Sequence, residues 1–521
     1  MRYLPLFLGL LACACQPAPF DTVIIGGSVL DGSGDSPTRL DVGIRGDRIA
    51  ELGTGLDTLG AGRVIDATGL IVAPGFVDLH THLDPLHRLP NAESHLRQGV
   101  TTALGGPDGG GPWPLGEYLD ETAAMGVGLN VAFLTGHNTI RREVMGLENR
   151  SPTADELLRM QEMVAQAMDE GAFGLSTGLK YLPGTFSDVD EVVALSRTAS
   201  ERGGIYTSHL REEGLGLLEG VSEAMEIGAR AGIPVVLTHH KVVGQPTWGA
   251  SATTLAMVDS ARAAGTDVMI DQYPYTASYT GIGILVPGWA LAGGTDSLLA
   301  RMQLPALADS ILTGIAFNIV NDRGGNDLHR VQFALVEWDR TLEGQTLGDW
   351  ANRLERPLTP EIGAALVVEA LSRGGASCVF HAMQEQDVRA IMRHPFTAIA
   401  SDGRLVQPGE GHPHPRWYGT FPRVLGHYAR DEGVLTLPEA VRKMTSLPAR
   451  RIELVERGEI REGWFADLTL FDPARVRDMA TFTDPHQYPE GIPFVLVNGV
   501  LAVDQAEFKP VRSGVVLRKA H

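Results

Sequence analysis

The sequence predicts an α/β protein, in which a (β/α)8 TIM-like barrel is joined to a small β-sandwich domain formed from both chain ends. Short apolar strands alternate with longer helical stretches in the middle of the chain, strand periodicity occupies both ends, and polar residues follow the central strands. The expected domains are a signal segment over 1–19, sandwich strands over 20–72, the barrel over 73–450 and further sandwich strands over 451–521.

The bulk composition is that of a globular protein with more than one domain. The chain has 521 residues, 44% of them hydrophobic, and a formal net charge of −20. This length suits a large barrel with a second, smaller module. Phosphate binding needs clustered basic residues, so we expect no nucleic-acid partner.

The first residues resemble an export signal. Arg2 precedes an apolar run, 4–14, that is too short to span a bilayer. The run contains Leu-Leu-Ala-Cys13, which resembles the lipobox of bacterial lipoproteins, with Cys15 as a weaker candidate for lipidation. We expect an exported protein, either periplasmic or anchored as a lipoprotein. Plain secretion, with cleavage near Ala14 or Ala18, is the alternative.

The two ends of the chain carry strand periodicity. Apolar and polar residues alternate between turn signals from about Phe20 to Ile71, and the same texture returns after Gly458. These segments predict one small sandwich. Cys378 alone lies beyond the signal segment, so the sequence predicts no disulfide in the folded body.

The central region has the strand and helix alternation of a barrel. The helical stretch 151–170 is followed by the strand-like 173–176, and 191–202 by 205–208. A doubly wound open sheet fits this alternation nearly as well. The preference for a barrel therefore rests on the polar residues that end the strands, where barrel enzymes place their catalytic groups.

A histidine pair follows the first apolar strand of this region. His80 and His82 are separated by one residue, and alternate residues of a strand face the same side, so both imidazoles point into one space. This arrangement suits a metal ion.

The surrounding motifs are similar to those of the amidohydrolase superfamily and, within it, of the N-acyl-D-amino-acid deacylases. The resemblance covers nearly the whole chain after the signal segment. It is carried by four segments: Pro-Gly-Phe-Val-Asp-Leu-His-Thr-His-Leu-Asp at 74–84, Thr-Ser-His-Leu-Arg-Glu-Glu-Gly at 207–214, Val-Val-Leu-Thr-His-His-Lys at 235–241, and Ser-Asp-Gly at 401–403 followed by His-Pro-Arg-Trp-Tyr-Gly-Thr-Phe-Pro-Arg at 414–423.

The resemblance implies the metal ligands and the reaction. The implied ligands are His80, His82, His209, His239 and Asp402. Such a set fits one or two Zn2+ ions better than Mg2+ or Ca2+. The resemblance further implies that a hydroxide held by the metal attacks an amide carbonyl, with Asp402 as the general acid and base.

The ligand that bridges the metals is open. Family deacylases carry a cysteine where this chain has Asp108, so a different group must neutralise the metals. Lys180 lies where other superfamily members place a lysine carboxylated by CO2, and we expect a Lys180 carbamate in that role. The alternatives are Asp108 as the direct ligand and Lys180 as an ordinary lysine.

The same resemblance implies how the substrate binds. Lys241, Tyr275 and Arg416 resemble residues that hold the substrate carboxylate, and His137 resembles a residue near the acyl group. The segment 277–291 has no basic residue, which favours a neutral or apolar side chain. The expected partner is a small N-acyl amino acid or short peptide, and the D-configuration is implied by the resemblance alone.

Three other functions stay open at this point. A dipeptidase that releases a C-terminal D-residue, or a cyclic-amide hydrolase, would use the same scaffold. A ligand-binding lipoprotein without activity is opposed by the presence of the full set of metal-type residues. The sequence predicts contact with a membrane only through the N-terminal lipid anchor, and it predicts no oligomeric state.

Overall fold

A computed structural model describes residues 20–520 of the chain. The predicted signal segment, with Cys13 and Cys15, lies outside these residues. Strands and helices alternate along the described chain, which confirms the predicted α/β class.

Parallel strands form the centre of the molecule. They belong to a three-stranded and a six-stranded sheet in which every pairing is parallel. Because parallel strands run in one direction, their carboxyl ends meet at one edge. The strands are Phe76–Asp78, Val100–Gly105, Asn130–Phe133, Thr135–Gly136, Gly174–Gly178, Ile205–His209, Val235–Leu237, Val268–Gln272 and Thr397–Ile399.

The last of these strands ends beside the first. Ser401, just after Thr397–Ile399, donates its backbone N–H to Asp78 Oδ1 at 3.0 Å, and its hydroxyl bonds to the same carboxylate. The next residues continue the contact, because Thr81–His82 pairs in parallel with Gly403–Arg404. These bonds hold the ends of the two strands in a fixed relation.

Amphipathic helices connect the strands. In Leu217–Ala231, Val221, Ala224 and Ile227 recur at helical spacing and are buried, so one face packs against the sheet. Thr153 and Glu156 form a capping box that begins the helix Ala154–Asp169. The connecting helices are Leu115–Met125, His137–Met145, Ala154–Asp169, Val189–Ser200, Leu217–Ala231, Ser251–Ala263, Glu385–Arg393 and Leu437–Met444.

An insertion separates the strands Val268–Gln272 and Thr397–Ile399. Its strands Ser278–Gly281, Val331–Leu335 and Ser377–Phe380 form an antiparallel sheet of their own. The insertion has a separate apolar cluster, distinct from that around the parallel strands. Its helices are Thr295–Arg301, Pro305–Asn318, Leu347–Arg353 and Pro360–Ser372.

Both chain ends contribute to one seven-stranded sheet. Ile71–Pro74 lies between Ser28–Val29 and Leu468–Phe471. A four-stranded sheet from the first part of the chain shares an apolar cluster with it. The outer strands of the seven-stranded sheet are Thr38–Arg39 at one side and Phe494–Val497, Val500–Asp504 and Glu507–Phe508 at the other.

Within residues 20–520, no single helix has the length and apolar character needed to cross a membrane. One pair of helices separated by a sharp bend, Thr295–Arg301 with 305–323, meets the criterion by length and composition only.

Candidate metal centre

Strand ends position the histidines at one edge of the parallel strands. His209 is the last residue of Ile205–His209, and His239 follows Val235–Leu237 by two residues. His80 follows Phe76–Asp78 in the same way, and His82 ends the short strand Thr81–His82. The four imidazoles therefore converge because parallel strands end together.

Two groups of potential ligand atoms meet at this edge. The first consists of His80, His82, Asp108 and Asp402, and the second of Asp108, His209 and His239, and within each group the ligand atoms lie within 4.8 Å of one another. Asp108 belongs to both. The structure therefore brings together all the predicted metal ligands except Lys180.

Asp108 is the carboxylate shared by the two groups. Its Oδ1 lies 3.4 Å from His80 Nε2, 3.3 Å from His239 Nε2 and 3.7 Å from His209 Nδ1, while its Oδ2 lies 3.6 Å from His82 Nε2. Burial raises the pKa of Asp108, but the positive field of His80 and His239 outweighs it and holds the pKa well below its ordinary value. The carboxylate is thus ionised between the two groups.

The donor set fits a metal ion. Both ring nitrogens of His80 and of His209 are buried and have no hydrogen-bond partner. Asp108 Oδ1 is likewise buried without a hydrogen-bond partner. Buried polar atoms without partners are costly in a protein unless a ligand satisfies them. Imidazole nitrogens with carboxylate oxygens in small groups are the donors that zinc takes.

The backbone is strained where it presents three of these groups. Asp108, His239 and Asp402 have φ values of 55°, 37° and 46°, in the left-handed region that such residues adopt only under constraint. Gly109, which follows Asp108, also has a positive φ of 75°. A Cβ at Gly109 would lie 2.1 Å from the side-chain amide oxygen of Asn138. Only glycine fits this approach, which allows the loop to place Asp108 between the histidines.

Carboxylates that the sequence analysis missed support the ligands. Asp271 accepts the backbone N–H of His239 at 2.5 Å, and its Oδ2 lies 4.0 Å from His80 Nδ1. Glu213 lies 3.3 Å from His239 Nδ1 and 3.6 Å from His209 Nε2. Such outer carboxylates orient imidazole ligands. The position of Glu213, four residues after His209, was the available signal for it.

Asp402 is held beside a guanidinium. Arg416 Nη2 lies 2.9 Å from Asp402 Oδ1, and Arg416 Nε donates to the Asp402 backbone carbonyl at 2.7 Å. Asp402 Oδ1 also lies 3.2 Å from His82 Nε2. Burial raises the pKa of Asp402, but Arg416 and the histidines outweigh it and lower the pKa below its ordinary value. Asp402 is therefore ionised at neutral pH.

The structure places Lys180, for which the sequence predicted a bridging carbamate, in ion pairs outside the two ligand groups. Lys180 Nζ donates to Glu212 Oε2 at 2.7 Å and lies 3.8 Å from Asp322 Oδ2, and the side chain faces a second cavity. The Lys180 ammonium is thus paired with carboxylates, and Asp108 is the group that lies between the two sets of histidines.

Two predicted substrate contacts also lie elsewhere. Tyr275 packs edge to face against His414 and Phe482 and does not line the cavity above the metal ligands, whereas Tyr273 does. His137 is fully buried, bonds to Glu191 at 2.8 Å and does not line that cavity. His240, the neighbour of His239 in the chain, bonds to Thr254 at 2.8 Å.

A cavity of about 560 Å3 opens onto the two ligand groups, and cations line it. Lys241 Nζ donates to Glu213, and Arg323 Nη2 donates to the same carboxylate at 3.1 Å. Arg416 is paired with Asp402. Arg404 also lines the cavity, and within residues 20–520 it forms no ion pair and its buried Nε has no hydrogen-bond partner.

The α/β fold and the histidine- and carboxylate-rich site at one edge of parallel strands are consistent with a metal-dependent hydrolase. The amidohydrolase family model matches residues 63–268 and 357–503. The chain therefore belongs to the amidohydrolase family, which confirms the predicted resemblance. The gap between the matched ranges contains most of the insertion.

Full-length relatives narrow the comparison. The D-aminoacylase of Alcaligenes xylosoxydans xylosoxydans is 37% identical over 525 residues, which cover 96% of this chain and 98% of the relative. A crystal structure of D-aminoacylase is 35% identical, with a TM-score of 0.82, and covers 96% of this chain and 100% of that one. The N-acyl-D-glutamate deacylase of Bordetella bronchiseptica, solved with zinc and a phosphonate that mimics the tetrahedral intermediate, is 33% identical with a TM-score of 0.81 and the same coverage.

Proposed function

We propose that this protein hydrolyses N-acyl-D-amino acids to a carboxylate and a free D-amino acid. The observation that carries the proposal is the cavity in which Asp402 lies beside two histidine groups joined by Asp108, with one guanidinium, Arg404, lacking an anionic partner. The similarity to deacylases over the whole described chain supports the same substrate class.

The two ligand groups would hold zinc. His80, His82 and Asp402 supply one position, His209 and His239 the other, and Asp108 is common to both. When bound, zinc polarises the substrate carbonyl and lowers the pKa of water to near neutrality.

Asp402 handles the proton in this reaction. Its ionised carboxylate accepts a proton from the attacking water and delivers it to the amide nitrogen, because an unprotonated amine leaves poorly. Arg416 fixes the position of the carboxylate through two contacts, at its Oδ1 and at the backbone carbonyl. Arg416 is thus a positioning residue for Asp402 rather than a free cation for the substrate.

Arg404 binds the substrate carboxylate. Lys241, Arg323 and Arg416 each already neutralise a carboxylate of the protein, whereas Arg404 does not. A guanidinium in a partly buried position gains a charge-assisted bond from a substrate anion at little competing cost. No further unpaired cation among the described cavity residues remains for an acidic side chain, so we expect a neutral or apolar one.

We also infer that the parallel strands close into a (β/α)8 barrel and that the terminal sheets form a sandwich. The bonds between Ser401 and Asp78 and the pairing of Thr81–His82 with Gly403–Arg404 support the closure. The apolar cluster shared by the two terminal sheets supports the sandwich. Cysteine-scanning crosslinks between the strand ends at Leu79 and Ala400 test the closure.

Zinc content together with amine release tests the function. Protein lacking residues 1–19 is purified with Zn2+, and release of free amine is measured from N-acetyl-D- and N-acetyl-L-amino acids with neutral and acidic side chains. Consumption of D-dipeptides and cyclic amides is followed in parallel. Bound zinc with turnover of neutral D-substrates supports the proposal. Bound zinc with turnover of D-dipeptides or cyclic amides instead contradicts it in favour of another amide hydrolase, and absence of bound zinc contradicts the mechanism.

We further propose that the protein is exported and lipidated at Cys13. The apolar run after Arg2 and the Leu-Leu-Ala-Cys segment support this. Labelling with radioactive palmitate in a bacterial host tests it, with Cys13→Ala and Cys15→Ala compared side by side. Equal labelling of wild type and Cys13→Ala contradicts the assignment.

A further inference from the structure

A second cavity, the side cavity, lies next to the catalytic cavity and has a volume of about 1000 Å3. Its walls are largely apolar and come from both the insertion and the loops after the parallel strands. Its apolar lining residues include Leu182, Leu215, Ile284, Val286, Leu291 and Phe317. Leu215 and Phe317 are 55% and 54% exposed, so apolar surface is left open to solvent here.

The side cavity adjoins the catalytic cavity. Tyr181, Thr280 and Gly281 line both. The Thr280 hydroxyl donates to the Tyr181 hydroxyl at 3.4 Å, and the Tyr181 ring packs on the His209 ring with centroids 4.5 Å apart. A group that extends from the metal site past Tyr181, on the His209 side, would therefore reach the side cavity.

The charges of the side cavity disfavour an anion. Lys180 is its one cation among the described lining residues, and it is held by Glu212 and Asp322. Asp309 adds a further exposed carboxylate. An uncharged, apolar group fits this combination of apolar walls and paired or negative polar groups.

The two ends of the substrate are distinguished by these surroundings. Arg404 pairs with His82, and Arg416 pairs with Asp402, so both lie on the side of the first ligand group. Tyr181 lies on the side of the second group, at His209. A substrate whose carboxylate is held by Arg404, as proposed above, and whose amide lies between the two ligand groups would place its acyl group towards Tyr181.

We propose that the side cavity binds the alkyl chain of a medium- or long-chain acyl group, so that the preferred substrates are N-fatty-acyl D-amino acids. This assignment rests on the proposed function. Each methylene moved from water into an apolar cavity contributes about 0.8 kcal/mol, or about fourfold in kcat/KM. The value of kcat/KM should therefore rise steeply from acetyl to octanoyl substrates.

The test compares a chain-length series in wild type and two tryptophan variants. The substrates are N-acetyl-, N-butanoyl- and N-octanoyl-D-leucine below their micellar concentrations, with zinc-loaded protein. Thr313→Trp places an indole in the side cavity, while Ala306→Trp is the matched control on an exposed, non-lining position of the same helix, Pro305–Asn318. Should Thr313→Trp fail to fold, Gly288→Leu enters from another wall, where a Cβ meets Thr185 at an ordinary 3.6 Å.

The expected readout is the ratio of kcat/KM for octanoyl to that for acetyl substrate. It exceeds about 100-fold in wild type and Ala306→Trp and falls towards one in Thr313→Trp. A flat or falling series in wild type, with the acetyl substrate turned over, overturns the side-cavity assignment and leaves the proposed function intact. Absence of turnover with every N-acyl-D-amino acid overturns the proposed function instead.

Binding provides a readout that does not depend on activity. Calorimetric titration of zinc-loaded Asp402→Asn with the same compounds should show tighter binding of the octanoyl compound, and Thr313→Trp in that background should remove the difference. Equal affinity for octanoyl and acetyl compounds overturns the assignment whatever the catalytic result.

Discussion

Replacing Arg404 by leucine removes the one cation of the catalytic cavity that is without a protein anion among the described residues. Because no carboxylate loses a partner, the fold and the metal ligands should be undisturbed. A hydrogen bond to a charged group contributes about 1.5 to 3 kcal/mol, which corresponds to about 10- to 150-fold in kcat/KM. We expect a loss in that range with N-acetyl-D-leucine, mainly through KM.

The matched substrate N-acetyl-D-leucinamide isolates the carboxylate contact. Wild type and Arg404→Leu should hydrolyse this amide at similar rates, because it has no carboxylate for Arg404 to bind. Zinc content, measured on both proteins, should be equal. An equal loss of kcat/KM with the acid and the amide, or no loss with either, would refute the assignment. A loss confined to substrates with acidic side chains would show that Arg404 binds the side chain of the substrate instead.

Four further predictions follow from the site and the core. Asp108→Ala should lower the zinc content measured by mass spectrometry, whereas Asp108→Cys should retain zinc, because a thiolate also bridges two ions. Asp402→Asn should lower kcat by at least about 100-fold through loss of the proton acceptor, which steady-state kinetics on zinc-loaded protein measures. Lys180→Met should keep its zinc and its turnover of N-acetyl-D-leucine; loss of both would restore the carbamate. Burial lowers the pKa of Lys443 to about 7. Between about pH 7 and 10.5 the Lys443 amine is therefore protonated in the unfolded chain but not in the folded protein, so the free energy of unfolding should rise with pH. From pH 7 to 9.5, the thermal midpoint of wild type should rise relative to that of Lys443→Met.

The outcomes that contradict these predictions are equally definite. Full zinc in Asp108→Ala would show that the histidines suffice without the shared carboxylate. Near-normal turnover in Asp402→Asn would assign the proton transfer to another group. A difference in thermal midpoint between wild type and Lys443→Met that does not change with pH would show that Lys443 keeps its proton in the folded protein.

The histidine ligands were predictable because their positions follow from strand geometry. His80 and His82 are separated by one residue, and His209 and His239 follow apolar runs whose strand character is evident. Asp402 needed the resemblance, because a single aspartate after an apolar run carries little information on its own.

The remaining site residues depend on loops, whose paths the sequence does not determine. Tyr273 and Tyr275 are two residues apart, and an extended chain would put them on one side. The chain turns instead, with a hydrogen bond of 3.1 Å from the Tyr275 N–H to the Tyr273 carbonyl, and Tyr275 leaves the cavity. Asp108 lies between the histidines because its own backbone and that of Gly109 have positive φ values. No periodicity in the sequence indicates such a turn.

The insertion escaped prediction for a related reason. Its apolar residues between 277 and 291 form short turns and one edge strand rather than a periodic element, and their burial depends on partners as distant as Ser377–Phe380. Arg404 lies two residues after Asp402 in the sequence, but its place in the cavity could not be predicted either, because several of the other cavity residues come from that insertion.

The sheet built from both chain ends has a consequence for biosynthesis. Pro74 pairs with Leu468, so the strand Ile71–Pro74 is synthesised long before its partner strand Leu468–Phe471. At a synthesis rate of about 5 to 20 residues per second, the interval between the two strands is about 20 to 80 s. During that time the strand exposes an unpaired backbone edge able to join a neighbouring nascent chain. Chaperone occupancy of the early chain, and slow production of active enzyme when the last strands are truncated or delayed, are the expected signs of this order of assembly.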